Sequence, residues 1–122
     1  MRDAIRALPD GVYEARLRNN PLGTMMEYRA DITVAGDTIS VDYADVPPQL
    51  PQSGFNCTLN YTEAHTTYPL KCLLTPGVRG NAGCYRPMRV TAPEGSLLNC
   101  RYPAAVNLRH RTGSSCSNRV CR

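Results

Sequence analysis

The sequence predicts an α+β fold in which an antiparallel β-hairpin or meander packs against one main helix. Three observations support this prediction. Apolar and polar residues alternate on both sides of a Gly-Asp turn at Gly36, which is typical of two paired strands. A segment of helical length follows, between residues 58 and 75. Ten prolines and nine glycines in 122 residues predict long irregular segments around these elements.

The chain begins with two short predicted elements. Residues 1–8 are expected to form one or two helical turns, because their apolar side chains fall on one helical face. A Pro-Asp-Gly sequence at residues 9–11 ends this helix, since these residues favour a turn. Residues 12–17 alternate as a strand does, and the face that carries Leu17 is the more apolar one.

Two further strands are predicted around Gly36. Residues 28–34 and 39–43 place apolar side chains at every second position, so one face of the hairpin should be buried and the other wet. Asp42 and Asp45 have two interpretations, either paired carboxylates for acid–base catalysis or the polar face of a strand. The alternation already directs Asp42 outward, which favours the second interpretation.

An extended, proline-rich connector over residues 45–54 leads to the main helix. Thr58 or Asn56 is predicted to cap its start, because short polar side chains accept hydrogen bonds from the first amides. Pro69 predicts either a kink near residues 66–68 or a helix that restarts at this proline. The apolar spacing predicts one helical face, formed by Leu59, Ala64, Tyr68 and Cys72.

The segment after this helix is rich in glycine. Residues 81–87 predict a tight turn before a short strand over residues 86–92, and irregular chain is expected beyond it. The same turn is a candidate backbone nest for an anion, assisted by Arg86. Cys84 is either a nucleophile activated by a neighbouring base or, in the interpretation we favour, a buried thiol.

Six cysteines occur without a pattern that fixes their role: Cys57, Cys72, Cys84, Cys100, Cys116 and Cys121. An even number suggests disulfides in an exported chain, and glycosylation sequons at Asn56 and Asn60 point the same way. However, the first residues lack the apolar run of a signal peptide, and no CxxC pair suggests a zinc or redox site. Reduced, packed thiols are favoured over disulfides, disulfides are favoured over metal ligands, and a cytoplasmic location is expected.

Charge is divided unevenly along the chain. Residues 1–63 carry five arginines and nine acids, a net charge of −4, whereas residues 64–122 carry nine basic residues and one acid, a net charge of +8. The basic end suggests nucleic-acid binding, but the last twenty residues contain no aromatic side chain on which a base stacks. A solvated terminal run is favoured, so no nucleic-acid partner is predicted. No apolar run reaches membrane-spanning length, and no membrane partner is predicted either.

Three sequence blocks resemble the hydantoinase B/oxoprolinase family: NCTLNYTEAHTTYPLKCLL, NAGCYRPMRVTAPEGSLLN and YPAAVN. The second block is the most specific. The upstream segments LPDGVYEA and DITVAGDTISVDY are similar as well, in the order found in the C-terminal half of that family. The resemblance covers Ile5 to Gly113. It divides the chain into a partial family domain, residues 1–113, and a divergent tail, residues 114–122, which is expected to be disordered.

The resemblance implies a function in the ATP-dependent opening of cyclic amides such as 5-oxoproline and hydantoins. It implies a small cyclic-amide substrate and a partner, the hydantoinase A-type subunit or domain, which uses ATP to activate the substrate as a phosphorylated intermediate. It further implies that this chain is a fragment of the B-type subunit, inactive alone, that binds no cofactor itself. The family's metal-binding motifs, and with them a divalent metal, are expected in the missing N-terminal half of that subunit.

Two alternatives stay open beside this interpretation. The first is a fragment of a related ATP-dependent ketone carboxylase subunit, because the matched blocks do not separate the two branches of the family. The second, of another class, is a small disulfide-bonded binding module, which the six cysteines suggest.

The matching blocks supply six candidate substrate-binding residues: Asn56, Asn81, Gly83, Arg86, Glu94 and Gly95. The resemblance carries over no catalytic residue and no metal ligand. The sequence departs from the family pattern at Pro69, where a helix-compatible residue is usual, and at Cys100, where a proline is typical. Because a fragment leaves apolar faces uncovered, the isolated chain is expected to be marginally stable and to associate.

Overall fold

The computed structural model describes residues 1–20 and 23–120, and for residues 115–120 it describes the backbone alone. Within this range four strands form one sheet, in the order β1-β2-β3-β4. In chain order the elements are α1 (Arg2–Arg6), β1 (Gly11–Asn19), β2 (Met26–Ala35), β3 (Thr38–Asp45), α2 (Leu59–Leu74), α3 (Ala82–Tyr85), β4 (Met88–Thr91) and α4 (Arg109–Val120). The predicted α+β class is confirmed.

Strands β1 to β3 form the antiparallel meander that the alternation predicts. β1 pairs with β2 along its whole length, beginning with Gly11 opposite Val34. β2 pairs with β3, with Ile32 opposite Val41. The turn between them contains Gly36 at a φ of 60°, a left-handed conformation that glycine adopts without a Cβ clash. The predicted hairpin is therefore confirmed, and β1 joins it at the edge of the sheet.

β4 pairs in parallel with β3, with Ile39 opposite Met88 and Asp42 opposite Thr91. Parallel strands need a long crossover connection, and the segment that contains α2 provides it. The sequence does not predict this pairing, because four residues are too few to show a period. Asp42 lies on the exposed face of the sheet, as the alternation predicts, and accepts a hydrogen bond of 2.7 Å from the Thr91 hydroxyl.

The core lies between one face of the sheet and α2. The sheet contributes buried apolar side chains from alternate positions: Ala30, Val34, Ile39, Val41, Tyr43, Met88 and Val90. α2 contributes Leu70 and two of its three buried threonines, Thr62 and Thr66. The Thr62 hydroxyl donates to the Leu98 carbonyl at 2.6 Å, and the Thr66 Oγ1 lies 2.7 Å from the Tyr43 hydroxyl oxygen. Each buried threonine hydroxyl is therefore hydrogen-bonded, which removes the cost of burying it.

The predicted apolar face of α2 is not the face that the protein buries. Ala64, Tyr68 and Cys72 are exposed, and Tyr68 is 61% exposed. The helix instead turns Thr62 and Thr66 toward the core, where they bond to Leu98 in the loop after β4 and to Tyr43 in β3. Hydrophobic periodicity does not detect such a face, because it counts threonine as polar even where the hydroxyl bonds inside the protein.

α2 runs without interruption from Leu59 to Leu74, with Pro69 inside it. The predicted restart at Pro69 is therefore wrong, whereas the predicted kink stays a prediction. Thr58 occupies the N-cap position, as predicted, but its side chain makes no capping hydrogen bond. The side chain of Asn56, the other predicted cap, bonds to backbone groups elsewhere.

Two segments are more helical than the sequence predicts. Residues 82–85 form the short helix α3 where a plain turn is predicted. α4 extends from Arg109 to Val120, whereas the sequence predicts a disordered tail from residue 114, and residues 121–122 lie outside the described range. The Thr112 hydroxyl attaches α4 to the core by donating to the Phe55 carbonyl at 2.8 Å.

Four cysteine side chains are described, and all are thiols rather than disulfides: Cys57, Cys72, Cys84 and Cys100. Cys57 and Cys84 are buried, which agrees with the predicted packed thiols. The side chains of Cys116 and Cys121 lie outside the described part of the chain. Among the described helices, none combines the length and the hydropathy that crossing a bilayer requires.

Candidate functional site

An open groove of about 820 Å³ lies between the outer face of α2 and the short helix α3. We call it the α2–α3 groove. Its apolar lining includes Ala64, Tyr68, Pro69, Tyr85 and Met88. Polar side chains also line it, namely Asn60, Glu63, His65 and Thr67. A concave, mostly apolar surface with a few polar groups is typical of a binding site.

His65 lies where α2 meets α4. Its ring centroid is 4.3 Å from that of Tyr61, and the Arg109 guanidinium carbon lies 5.2 Å from the Tyr61 ring centroid. Burial lowers the pKa of His65 below its ordinary value of 6.5, because the charged imidazolium loses hydration. The imidazole that lines the groove is therefore neutral at pH 7.

We expect His65 to make the fold sensitive to mild acid. The unfolded chain takes up this proton near pH 6.5, whereas the folded chain takes it up only at a lower pH. Stability should therefore fall as the pH drops through 6.5 and level off below the folded pKa. Urea denaturation between about pH 5 and 8 measures this effect in a His110→Gln background, which removes the other imidazole.

The matched comparison adds His65→Gln to that background. The double variant should lose the fall in stability that begins near pH 6.5. An equal fall in both proteins would show that another group is responsible.

Tyr68 and Cys72 lie one turn apart on the outer face of α2. A hydrogen bond with Cys72, together with the charge on that thiol when ionised, raises the pKa of Tyr68, so its phenol stays protonated at neutral pH. Glu63 is the acidic side chain among the described lining residues. Within residues 1–20 and 23–114, whose side chains the structure describes, no three His, Cys, Asp or Glu side chains gather as metal ligands. The groove can therefore hold an apolar group and offer it a few hydrogen bonds.

Three of the six predicted substrate-binding residues lie in or beside α3, next to the groove. Asn81 caps α3, because its Oδ1 accepts a hydrogen bond of 3.1 Å from the Cys84 amide. A Cβ on Gly83 would approach Asn81 Oδ1 to 3.1 Å, so this cap favours glycine. Arg86 is exposed. Cys84 is buried, and its Sγ lies 3.5 Å from the Arg79 carbonyl oxygen, which fits a packed thiol.

Glu94 and Gly95 lie beyond the other end of β4. The Arg101 Nε donates to Glu94 Oε1 at 3.0 Å, and this hydrogen bond lowers the pKa of Glu94. Gly95 has a φ of 81°, its amide donates to the Asn99 carbonyl at 2.8 Å, and its carbonyl accepts from the Gln49 amide at 2.9 Å. Gly95 therefore shapes a turn. Glu94, the residue before it, carries an exposed carboxylate that is paired with Arg101.

Asn56 is fully buried and joins three segments of the chain. Its Oδ1 accepts from the Leu50 amide at 2.7 Å. Its Nδ2 lies 2.8 Å from the Leu50 carbonyl, 2.9 Å from that of Ser53 and 3.1 Å from that of Ala105. Backbone groups thus occupy both ends of this amide. We call this arrangement the Asn56 clasp.

The six predicted residues fall into two groups, at opposite ends of β4. The α3 group borders the α2–α3 groove, whereas Glu94, Gly95 and Asn56 belong to the loops around residues 47–57 and 94–107. A substrate-binding role for any of them stays a prediction. His65 and Tyr85 line the groove but are not among the predicted residues, because nothing in their spacing sets them apart within the matching blocks.

Comparisons with known proteins agree on the relationship. The Hydantoinase B/oxoprolinase family model matches residues 1–122. The chain is 30% identical over 128 residues to the B-type subunit of the putative D-/L-hydantoinase of Pseudomonas sp. (strain NS671), covering 94% of this chain and 22% of that protein. It is 33% identical over 58 residues to the 5-oxoprolinase PfmaA of Pestalotiopsis fici, which is 48% of this chain and 4% of that protein.

A solved structure shows the same fold. The ATP-dependent caprolactamase from Pseudomonas jessenii superposes with a TM-score of 0.85 at 26% identity, over 98% of this chain and 21% of that chain. The chain therefore spans less than a quarter of the length of these relatives. The family match also includes residues 114–122, which the sequence resemblance leaves out as a divergent tail.

Proposed function

The chain belongs to the hydantoinase B/oxoprolinase family, and from that premise we propose that it is part of the B-type subunit of an ATP-dependent cyclic-amide hydrolase. The observation that carries the proposal is the likeness over 98% of the chain, at a TM-score of 0.85, to a caprolactamase described as ATP-dependent. Relatives named as a hydantoinase and as a 5-oxoprolinase support the same class of substrate. Each of these names describes an enzyme that opens a cyclic amide.

The proposed division of labour places ATP use on another polypeptide. A hydantoinase A-type subunit or domain transfers phosphate from ATP to the amide oxygen, which weakens the resonance that makes an amide unreactive. One water can then add to the activated carbon, and the ring C–N bond breaks to leave a free amine and an acyl phosphate. A second water hydrolyses that acyl phosphate to the carboxylate and inorganic phosphate. The remaining part of the B-type subunit is the second proposed partner, since the chain covers 22% of the Pseudomonas hydantoinase relative.

The described residues fit a supporting role in this reaction. Glu63 and the neutral His65 line a groove that is open to solvent, whereas amide chemistry needs a site that controls the access of water. The candidate residue best placed to meet a substrate or its phosphate is Arg86, because it is exposed beside α3 and carries a positive charge. The thiol state of the four described cysteines supports the proposed cytoplasmic location. It also speaks against the disulfide-bonded binding module, as does the family membership.

The experiment is reconstitution with the two proposed partners. We expect the chain alone to produce neither ADP nor ring-opened product from hydantoin, 5-oxoproline or caprolactam. Addition of the remaining B-type polypeptide and an A-type subunit should produce ADP and opened amide in equal amounts with one of these substrates. Ring opening by the chain alone, or no ATP-dependent opening by the full complex, would contradict the proposal. Bicarbonate-dependent ketone consumption by that complex would favour the carboxylase branch instead.

A further inference from the structure

The outer face of α2 has the pattern of a buried helix face but is exposed. Ala64, Tyr68 and Cys72 recur at intervals of four residues, which places them in one stripe along the helix. The sheet already covers the opposite face, through Thr62, Thr66 and Leu70. Leu73, beside the stripe, is 62% exposed. α2 therefore carries two surfaces suited to burial, and the described residues cover one of them.

Ala64 and Tyr68 of this stripe line the α2–α3 groove, and Cys72 lies one turn further along α2. Tyr85 from α3 and Met88 at the start of β4 form the opposite side, and Pro69 continues the apolar surface on α2. At about 820 Å³ the groove is far larger than one lactam ring and open to solvent, so a small cyclic amide bound there would keep much of its surface wet. The shape suits a polypeptide segment better than the proposed substrate.

The charges next to the groove discriminate between polypeptide partners. Arg79 and Arg86 flank α3 and are exposed, whereas Glu63 lines the groove from α2. Arg89 belongs to the other face of the sheet, because its neighbours Met88 and Val90 are the buried ones. A partner segment with an acidic residue on the α3 side of the groove would therefore be attracted.

We propose that the α2–α3 groove seats an apolar segment of the remaining part of the B-type polypeptide, with an acidic residue on the side of α3, where Arg79 and Arg86 lie. This inference rests on the proposed function. About four fifths of the Pseudomonas hydantoinase relative and of the caprolactamase chain lie outside the region that matches this chain. Chain of that length must contact the shared fold over a substantial surface, and an open apolar groove next to positive charge is the surface that such a contact would bury.

Copurification tests the proposal with the whole 122-residue chain. The probe is the B-type polypeptide of the Pseudomonas hydantoinase from which the matching segment has been deleted, produced together with the tagged chain. We expect the unaltered chain to retain this probe. Tyr68→Asp and Ala64→Glu should each weaken the complex about tenfold or more, because a charge in a buried apolar contact is costly. Both positions are exposed, so both variants should fold.

Tyr102→Asp is the matched control, since Tyr102 is 98% exposed and does not line the groove. It should bind the probe as the unaltered chain does. Equal binding by all four proteins, or no retention of the probe by the unaltered chain, would overturn the proposal. A dimer of the chain would also overturn the proposal, if Tyr68→Asp dissociates that dimer and the probe does not displace it. Binding of hydantoin to the chain alone would overturn it as well, if Tyr68→Asp abolishes that binding.

The result is separable from that of the proposed function. A complex that forms through the groove but opens no cyclic amide would support the proposed docking surface and contradict the proposed activity. A complex built with Tyr68→Asp that keeps full ATP-dependent activity and unchanged affinity would support the proposed activity and contradict the docking surface.

Discussion

Replacing Asn56 by alanine should unfold the isolated chain or nearly so. The variant leaves the Leu50 amide and up to three carbonyl groups without their partner inside the protein. An orphaned buried polar group costs about 1–3 kcal/mol, so we expect a loss of at least about 3 kcal/mol. Small domains have little stability to spare, and this one is expected to be marginal.

Urea denaturation followed by circular dichroism measures the effect. Asn60→Ala is the matched control, because Asn60 is exposed on α2, and it should change stability by less than about 0.5 kcal/mol. Similar losses in the two variants would show that the Asn56 clasp does not hold the loops together. A substrate contact at Asn56 would give a different pattern, with stability kept and binding lost.

Gly54→Ala should detach the segment that leads into α4. A Cβ on Gly54 would overlap the Asn107 side-chain amide oxygen and approach the Leu108 backbone nitrogen to 3.1 Å. The same glycine accepts a hydrogen bond of 2.8 Å from the Leu108 amide, so the segment cannot move away without breaking it. Overpacking of this kind costs about 1–3 kcal/mol.

A double-mutant cycle with Asn107→Ala tests this cause. If the overlap with the Asn107 side chain dominates, Gly54→Ala combined with Asn107→Ala should recover about half of the lost stability or more. Hydrogen exchange would locate the damage, with faster exchange of the α4 amides in Gly54→Ala than in the double variant. Simple additivity of the two single changes would contradict the proposed contact.

The meander was accessible from sequence because its signal is local. Each strand of the hairpin alternates along most of its length, and glycine marks the turn at Gly36. β4 has only four residues and pairs in parallel with a strand some fifty positions earlier, so no local pattern reveals its neighbour. α4 is hidden by the serines, arginines and single glycine of residues 109–120, whose helix depends on contacts with α2 and Phe55.

The apolar stripe on α2 is the reason both for the difference between the predicted and the buried face of this helix and for the docking surface proposed above. Apolar spacing correctly identifies a stripe through Ala64 and Tyr68 that is suited to burial, but it does not say which surface of the protein covers that stripe. The sheet instead takes the side with Thr62 and Thr66, whose hydroxyls bond to Leu98 and Tyr43. Such pairs join residues 23 and 36 positions apart and leave no trace in the periodicity.

The candidate site could be predicted from the sequence only in part. The resemblance selects blocks of residues, and within them the structure distinguishes a clasp, a helix cap, a turn glycine and two exposed charged side chains. Asn56 illustrates the limit, because Ala105, one of its backbone partners, lies 49 residues away. A substrate contact at any of the six residues stays a prediction.

The rate of alkylation of Cys72 tests the central claim most directly. Cys72 is exposed on the α2 stripe, and peptide mass spectrometry separates it from the other cysteines. In the isolated chain the thiol should react rapidly. In the complex with the remaining B-type polypeptide, we predict a reaction slower by about tenfold or more, because a segment seated against Ala64 and Tyr68 also covers Cys72, one turn further along the stripe. An unchanged rate in a stoichiometric complex would contradict the claim.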